Sequence, residues 1–523
     1  MEKKLPLGIQ TFRDLIAEDY LYIDKTKEIF ELLTGGGKYF FLARPRRFGK
    51  SLLVSTLKEI LLGNRELFEG LWIYDQLEWR QHPVIHLDLT ALVYDNQTFL
   101  GQSLERALQK IGDSHQISLT SMNYKTQLIE LIEKLSVKGK VAILVDEYDK
   151  PIIDKIDEPE VVAKNRELLR DFYAALKAAD QYIKFVFLTG VSKFSRVSVF
   201  SGLNNLNDIT HDSAFSTLLG YTQEEMEHYF DGMIQRMTQT LDIGREDLLT
   251  EIKNWYNGYS WDGRQFVYNP FSILSFFKKE TFDNFWFSTG TPTFLIKLIR
   301  SKKVAISDFE NKTTDHSVFE SFDIDRLSVV PLLLQTGYLT VKAVEKISIR
   351  NRYTLTYPNV EVKEAFLKYL LADFSDTPVY ETGGRILDLV QSLLNDDIDG
   401  FFARLKSIFA SIPYNMFVAD REGYYQSVVY LALSLVGMNI SSEIQTNDGR
   451  IDAVIETSHR TIILEFKLGS PEDALKQIKN KDYHLPYIQN FKRITVIGVG
   501  FDKTTRNISG YLSEDLTSVG ASE

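Results

Sequence analysis

Residues 39–61 constrain the fold more than any other stretch of the chain. An apolar run, Tyr39-Phe-Phe-Leu-Ala, stops at a basic loop, Arg44-Pro-Arg-Arg-Phe-Gly-Lys-Ser. Beyond the loop Leu52, Leu53, Leu57, Ile60 and Leu61 recur at helical spacing, so the order is strand, tight loop, helix. A glycine loop that runs into a helix N-terminus aims backbone N–H groups at an anion. A lysine there adds positive charge, and a serine hydroxyl suits a magnesium ion. Gly49, Lys50 and Ser51 carry this reading, while the position of the usual first glycine in the eight-residue pattern holds Arg44.

A second element gives the loop its meaning. Residues 141–145 are an apolar strand that ends in Asp146-Glu147. In a magnesium-dependent ATPase such acids divide the work: Asp146 would hold the metal through water, and Glu147 would polarise the attacking water. A Gly-Lys-Ser turn alone is often a basic surface turn, and acidic strand ends are common, but the two together point to a nucleoside triphosphate site. Further strands at 83–89 and 185–189, with helical sequence at 127–135 and 165–176, predict a parallel sheet covered on both faces and extending to about residue 220. The strand 83–89 lies between the two motifs along the chain. That suits the ATPase branch whose acidic strand is not the loop's neighbour, and it places Thr189 to sense a γ-phosphate. The candidate nucleotide-binding set is Arg44, Arg47, Phe48, Gly49, Lys50, Ser51, Leu52, Asp146 and Thr189, with Ser51 and Asp146 on the metal and Glu147 catalytic.

Six longer motifs accompany these: Tyr22-Ile-Asp-Lys-Thr, Arg44-Pro-Arg-Arg-Phe-Gly-Lys-Ser, Asp146-Glu-Tyr-Asp, Thr189-Gly-Val-Ser-Lys-Phe-Ser, Leu203-Asn-Asn-Leu-Asn-Asp-Ile-Thr and Tyr268-Asn-Pro-Phe-Ser. On them the chain resembles the bacterial AAA-ATPase-like family whose members often carry a C-terminal nuclease-type domain. The resemblance spans nearly the whole chain. It implies an ATPase module using ATP and Mg2+, in which arginine at the Arg44 position is the usual form.

After the first domain, Thr222 and Glu225 form a capping-box pattern that opens a helix-rich lid over 221–323. Within it Trp255-Tyr-Asn-Gly-Tyr-Ser-Trp-Asp-Gly reads as a turn with aromatic packing. Residues 324–376 give helix, turn at Gly337, two strands and a helix, an order that suits a winged-helix unit facing nucleic acid or another domain. A hinge at 377–384 precedes the last domain, 377–523.

That domain reads helix (422–436), strand (439–445), an Asn447-Asp-Gly turn, strands 450–455 and 461–467, helix 474–483 and strand 493–499. Alternation along 461–467 sets Ile462, Leu464 and Phe466 on an apolar face and Glu465 and Lys467 on the other, with Asp452 able to reach the same side. Paired carboxylates attract a divalent cation, and a lysine beside them can orient or activate water, which is the apparatus of phosphodiester hydrolysis. A lone Glu-x-Lys is more often a solvated ion pair. The spacing from Asp452 to Glu465-Phe-Lys467 within this element order resembles the PD-(D/E)XK nuclease superfamily. Glu422 and Gln477 match its accessory positions, and Ile451 replaces the proline that names the motif. The resemblance implies Asp452 and Glu465 as Mg2+ ligands, with Mn2+ as an alternative.

The predicted whole is α/β multidomain: a P-loop ATPase parallel sheet with a helical lid and winged-helix-like segment, then a small α/β PD-(D/E)XK nuclease-like domain. The chain has 523 residues, 44% hydrophobic and 25% charged, enough for about three cores. It has no cysteine, which excludes disulfides and thiolate zinc sites, and its eight histidines show no ligand spacing. No signal peptide or membrane span is legible, so a cytoplasmic protein with no membrane partner is expected. A net charge of −11 argues against wrapping nucleic acid over the whole surface, but 60 Lys and Arg leave room for a local basic groove. The expected function is an ATP-controlled, metal-dependent DNase, in mobile-element or phage defence. A nucleotide-regulated DNA- or protein-binding switch without nuclease chemistry is the alternative, and an ATP-bound oligomerising switch a third reading; the expected partners are DNA and a second copy of the chain, in a homo-oligomer through the ATPase domain. Arg166, Arg170 and Arg196 are candidates for an arginine acting in trans.

Overall fold

The computed structural model describes residues 3–193, 199–287, 293–302, 304, 306–320, 328–412, 422–436, 439–446, 449–457, 459–490 and 493–516. Arg196, residues 324–327 and the Asn447-Asp448 turn lie outside them. Contacts divide the chain into two units, Met1–Leu295 with Asn311–Val362, and Ile296–Glu310 with Lys363–Glu523.

The first unit is built on five strands: β1 (Tyr39–Ala43), β2 (Val84–Asp88), β3 (Val141–Asp146), β4 (Ile183–Gly190) and β5 (Asn207–Asp208). They run in the order β2-β3-β4-β1-β5 with all neighbours parallel. Every residue of β1 is buried. Tyr39, Phe41 and Ala43 join the core formed with helices Gln97–Ser114, Tyr124–Ser136 and Pro159–Ala178, while Phe40 and Leu42 join the core of helix Lys50–Leu61 on the opposite face. Alternate side chains thus serve two cores, which is why the strand reads as continuously apolar. The acidic strand β3 is not the loop's neighbour. The strand interposed is β4, and β2 lies on the far edge.

Helices Gln223–Tyr229, Asp231–Leu241, Arg245–Tyr256 and Pro270–Lys279 enclose a core of their own around Met226, Phe230, Ile252 and Phe276. The capping box forms as expected: the Thr222 N–H donates to Glu225 Oε2 at 2.8 Å, and the Glu225 N–H to Thr222 Oγ1 at 3.2 Å. Glu225 also accepts Lys25 Nζ at 2.6 Å, which ties the Tyr22-Ile-Asp-Lys-Thr motif to this helix. A small antiparallel sheet completes the unit. Its strands β6 (Lys312–Thr314), β7 (Thr340–Ile347) and β8 (Arg350–Thr356) lie in the order β6-β8-β7, and helix Val329–Thr336 precedes the β7–β8 hairpin. The hairpin root is held by the aromatic turn, where the Ser260 N–H donates to Thr340 Oγ1 at 2.7 Å and the Thr340 hydroxyl donates back to the Ser260 carbonyl at 3.1 Å.

In the second unit, helices Val379–Leu394 and Ile398–Ala410 precede helix Glu422–Leu435 and a five-stranded sheet. The strands are β9 (Asn439–Thr446), β10 (Gly449–Glu456), β11 (Arg460–Leu468), β12 (Arg493–Asp502) and β13 (Asn507–Leu516), in the order β13-β12-β11-β10-β9. Only the β11–β12 pair is parallel. β13 is an additional edge strand, and its sequence, with Glu514 and Asp515 near the end, gives no apolar period. The two faces of β11 differ less than alternation suggested. Ile463 and Glu465 are as buried as Ile462, Leu464 and Phe466, because helix Pro471–Asn480 covers their side through Ile478.

Candidate functional site

Gly49 stands at φ +88° at the start of helix Lys50–Leu61, a left-handed conformation that glycine adopts without steric penalty. Arg47 at φ +66° and Glu147 at φ +51° occupy the same region without that freedom, at about 1–3 kcal/mol each, as do ten other non-glycine residues elsewhere among the described residues. Lys50 Nζ lies 3.2 Å from both the Arg44 and Pro45 carbonyls and 3.4 Å from Glu147. Burial pushes the Asp146 carboxyl up to about 6, against a hydrogen bond from the Ser51 hydroxyl that favours the charged form.

Arg47, Gly49, Lys50, Ser51, Leu52 and Glu147 line one cavity of about 380 Å³. Its other wall is apolar, with Leu7 and Ile9 from the N-terminal strap and Tyr221, Phe271 and Leu274 from the helical part. A polar, cationic end joined to an apolar one fits the phosphates and the base of a nucleotide, and the Ser51–Asp146 pair fits a magnesium ion beside them.

Three predicted residues sit elsewhere. Phe48 is fully buried, edge-on to Tyr259 and Trp261. The Thr189 hydroxyl donates to the Leu42 carbonyl at 2.8 Å inside the sheet, tying β4 to β1. Arg44 is also fully buried, and its guanidinium lies 3.8 Å from the centre of the Trp261 ring. It donates to the Ala43, Thr210 and Phe215 carbonyls at 3.0, 2.8 and 3.1 Å. Burial brings its pKa down to about 9, so it stays charged at neutral pH. The arginine at the first-glycine position therefore braces the loop from beneath. Arg44→Met is expected to lower the melting temperature by several degrees, since the buried carbonyls lose a donor at about 1–3 kcal/mol each. A melt within one degree of wild type would refute the bracing role.

Sequence reasoning missed Asp149, although the Asp146-Glu-Tyr-Asp motif contains it. Fully buried, it accepts the Ser192 N–H at 2.8 Å and the Ser192 hydroxyl at 2.7 Å, joining the acidic turn to the segment after β4. Burial raises its pKa to about 6. Arg170 pairs with Glu167 on the exposed side of helix Pro159–Ala178.

In the second unit, the β10–β11 register ends at the pair Ala453–Leu464, and the next residues along the two strands are Asp452 and Glu465. Asp452 Oδ2 accepts the Phe466 N–H at 2.8 Å. Gln477 reaches from helix Pro471–Asn480 to donate to Glu465 Oε1, whereas Glu465 Oε2 is buried with no hydrogen-bond partner among the described residues. The helix comes this close because Gly498, paired with Glu465 on β12, has no side chain; a Cβ there would lie 2.3 Å from the Pro471 carbonyl. Burial, then the neighbouring Asp452 charge, raises the Glu465 pKa to about 8, while Lys467, the Asp452 backbone N–H and Gln477 oppose the rise. A buried carboxylate with an orphaned oxygen beside a second carboxylate fits a divalent cation. Glu422 opens the helix Glu422–Leu435.

A parallel sheet with a phosphate loop after β1, acids after β3 and β4 between them defines a P-loop ATPase-type unit. The mixed sheet with Asp452 on β10 and Glu465 on β11 defines a PD-(D/E)XK-type domain. The chain belongs to the AAA-ATPase-like family carrying that domain. The model described as predicted AAA-ATPase matches residues 6–200, and the PD-(D/E)XK nuclease superfamily model matches 420–510. A protein of Azotobacter chroococcum mcd 1, described as an uncharacterized protein in the vnfD 5′ region, is 38% identical over 531 residues, covering 98% of this chain and 99% of that one. Among the described residues, no helix is long and apolar enough to cross a membrane.

Proposed function

We propose that this protein binds and hydrolyses ATP with magnesium in its first unit, and that its nucleotide state controls a metal-dependent DNase in its second. The observation that carries the nuclease half is the orphaned Glu465 Oε2 beside Asp452. Asp452 and Glu465 would hold Mg2+ or Mn2+, which when bound supplies Lewis-acid activation of the phosphodiester and of the attacking water. Gln477 fixes the Glu465 rotamer through Oε1, leaving Oε2 for the ion. Lys467 would orient the water, and Glu422 would take the accessory position. In the first unit, Gly49 and Lys50 would take the phosphates, Ser51 and Asp146 the metal, and Glu147 the water. Glu147 lines the cavity beside Lys50, where its carboxylate would face that water.

We read the chain as four parts, 1–220, 221–323, 324–376 and 377–523, in a cytoplasmic protein of mobile-element or phage defence that self-assembles through the ATPase part. Light scattering with and without ATP tests the assembly.

The central test is cleavage of supercoiled plasmid in Mg2+ or Mn2+, with and without ATP. Wild type is expected to give relaxed and linear products at a rate that changes with ATP, and Asp452→Ala and Lys467→Ala to fall to background. Wild-type cleavage no faster than Asp452→Ala would end the nuclease reading and leave a nucleotide-regulated binding switch. Cleavage indifferent to ATP would end the control.

A further inference from the structure

The β7–β8 hairpin carries four cations, Lys342, Lys346, Arg350 and Arg352, against one carboxylate, Glu345, in a chain of net charge −11. Its tip exposes two isoleucines that no core explains, Ile347 at 50% and Ile349 at 90%. Register distributes the charge. Glu345 faces Arg352 and Ile347 faces Arg350 on one side of the ribbon, while Lys346 faces Asn351 on the other. Arg352 is paired with Glu345, and Asp315 lies within electrostatic reach of Arg350.

Cations on both faces of a two-stranded ribbon, ending in an apolar point, match a cleft with negative walls on both sides. A flat anionic surface would be met by charge on one face. The grooves of duplex DNA have phosphate walls of that kind, admit a β-ribbon, and accept isoleucine wedges at base steps. The root of the hairpin is fixed: Val341 and Tyr353 are buried, and Tyr353 packs edge-on to Phe319. The tip is therefore presented by a rigid base.

We propose that this hairpin inserts into a groove of duplex DNA, with Lys346 and Arg350 on the phosphates and Ile347 and Ile349 toward the bases. The inference rests on the reading of the protein as acting on DNA, and it assigns the contact to the ATPase-bearing unit.

The test is fluorescence anisotropy of a labelled 30-base-pair duplex with the full chain in EDTA, which prevents cutting. The Ile347→Ser/Ile349→Ser double variant is expected to bind about tenfold more weakly. Lys346→Gln/Arg350→Gln is expected to lower the slope of log affinity against log salt by about 2. All four side chains are exposed, so melting temperature and ATP binding should stay at wild-type values in both variants. Variants that bind duplex like wild type would overturn the hairpin contact while leaving DNA binding by the chain intact. A wild type that binds no duplex would overturn both readings. A hairpin-dependent association with phosphatidylglycerol vesicles, with duplex affinity unaffected, would assign the tip to a lipid surface and overturn the proposal.

Discussion

Replacing Lys50 with alanine is expected to weaken ATP binding by at least about 100-fold, because two charge-assisted contacts to phosphate at about 1.5–3 kcal/mol each are lost. The fold should survive. Lys50 holds two loop carbonyls, at 3.2 Å each, and faces Glu147 at 3.4 Å, but helix Lys50–Leu61 packs through Leu53, Val54, Leu57 and Ile60, which the substitution leaves in place. Titration with a fluorescent ATP analogue, beside a thermal melt, separates the two effects. Affinity within threefold of wild type would show that the loop is not the phosphate site. Lys50→Arg is expected to recover little, since a planar fork does not substitute for the compact ammonium within the loop. If the units are coupled as proposed, both variants also lose the ATP dependence of plasmid cleavage and retain basal cutting.

Much of this site was legible in residues 39–61 and 141–147 because a loop that presents backbone N–H groups to an anion needs particular residue types in strict sequence order. What the sequence hid was direction. Arg44 stands within the motif, yet its side chain turns beneath the loop toward Trp261, a contact across more than 200 positions that no local pattern encodes. Thr189 has the residue type of a phosphate sensor, but at a strand end a hydroxyl has a backbone carbonyl within reach, and here the Leu42 carbonyl takes it. That the acidic strand is not the loop's neighbour was expected, but that β4 is the strand between them was not legible, because the order along a sheet depends on crossovers rather than on any one strand. In the second unit the hairpin and the positions of Asp452 and Glu465 were readable from alternation. The burial of Glu465 was not, because the helix Pro471–Asn480 that follows β11 can close over it only where Gly498, on β12, has no side chain.

The aromatic turn has a second consequence. Trp261 stacks on Arg44 beneath the Gly49-Lys50-Ser51 loop, and its neighbour Ser260 clamps Thr340 at the root of the β7–β8 hairpin. The same turn therefore touches both the segment under the Gly49-Lys50-Ser51 loop and the root of the hairpin. This gives the glycine-punctuated aromatic segment a positioning role that its composition, read as lid core, did not reveal.

Glu465→Gln is expected to stabilise the second unit in EDTA and to abolish its response to magnesium. The sign follows from the raised pKa: the folded carboxyl at about 8 holds its proton more tightly than the unfolded one near 4.5. Its favourable contribution is therefore present below about pH 4.5 and is lost as pH rises toward 8. Glutamine stays neutral throughout, so its advantage over wild type should widen across that window by up to about 1.4 kcal/mol per pH unit and then level off. Magnesium reverses the order. An ion bound between Asp452 and Glu465 neutralises the buried charge, so wild type should gain melting temperature on adding Mg2+ at pH 8 while the variant gains little. Melting curves at pH 5, 6.5 and 8, with EDTA or Mg2+, measure all of this without any cleavage assay. A glutamine variant less stable than wild type at pH 8 in EDTA would mean that the carboxylate is ionised and satisfied within the protein, and the case for a cation at Glu465 Oε2 would fall with it.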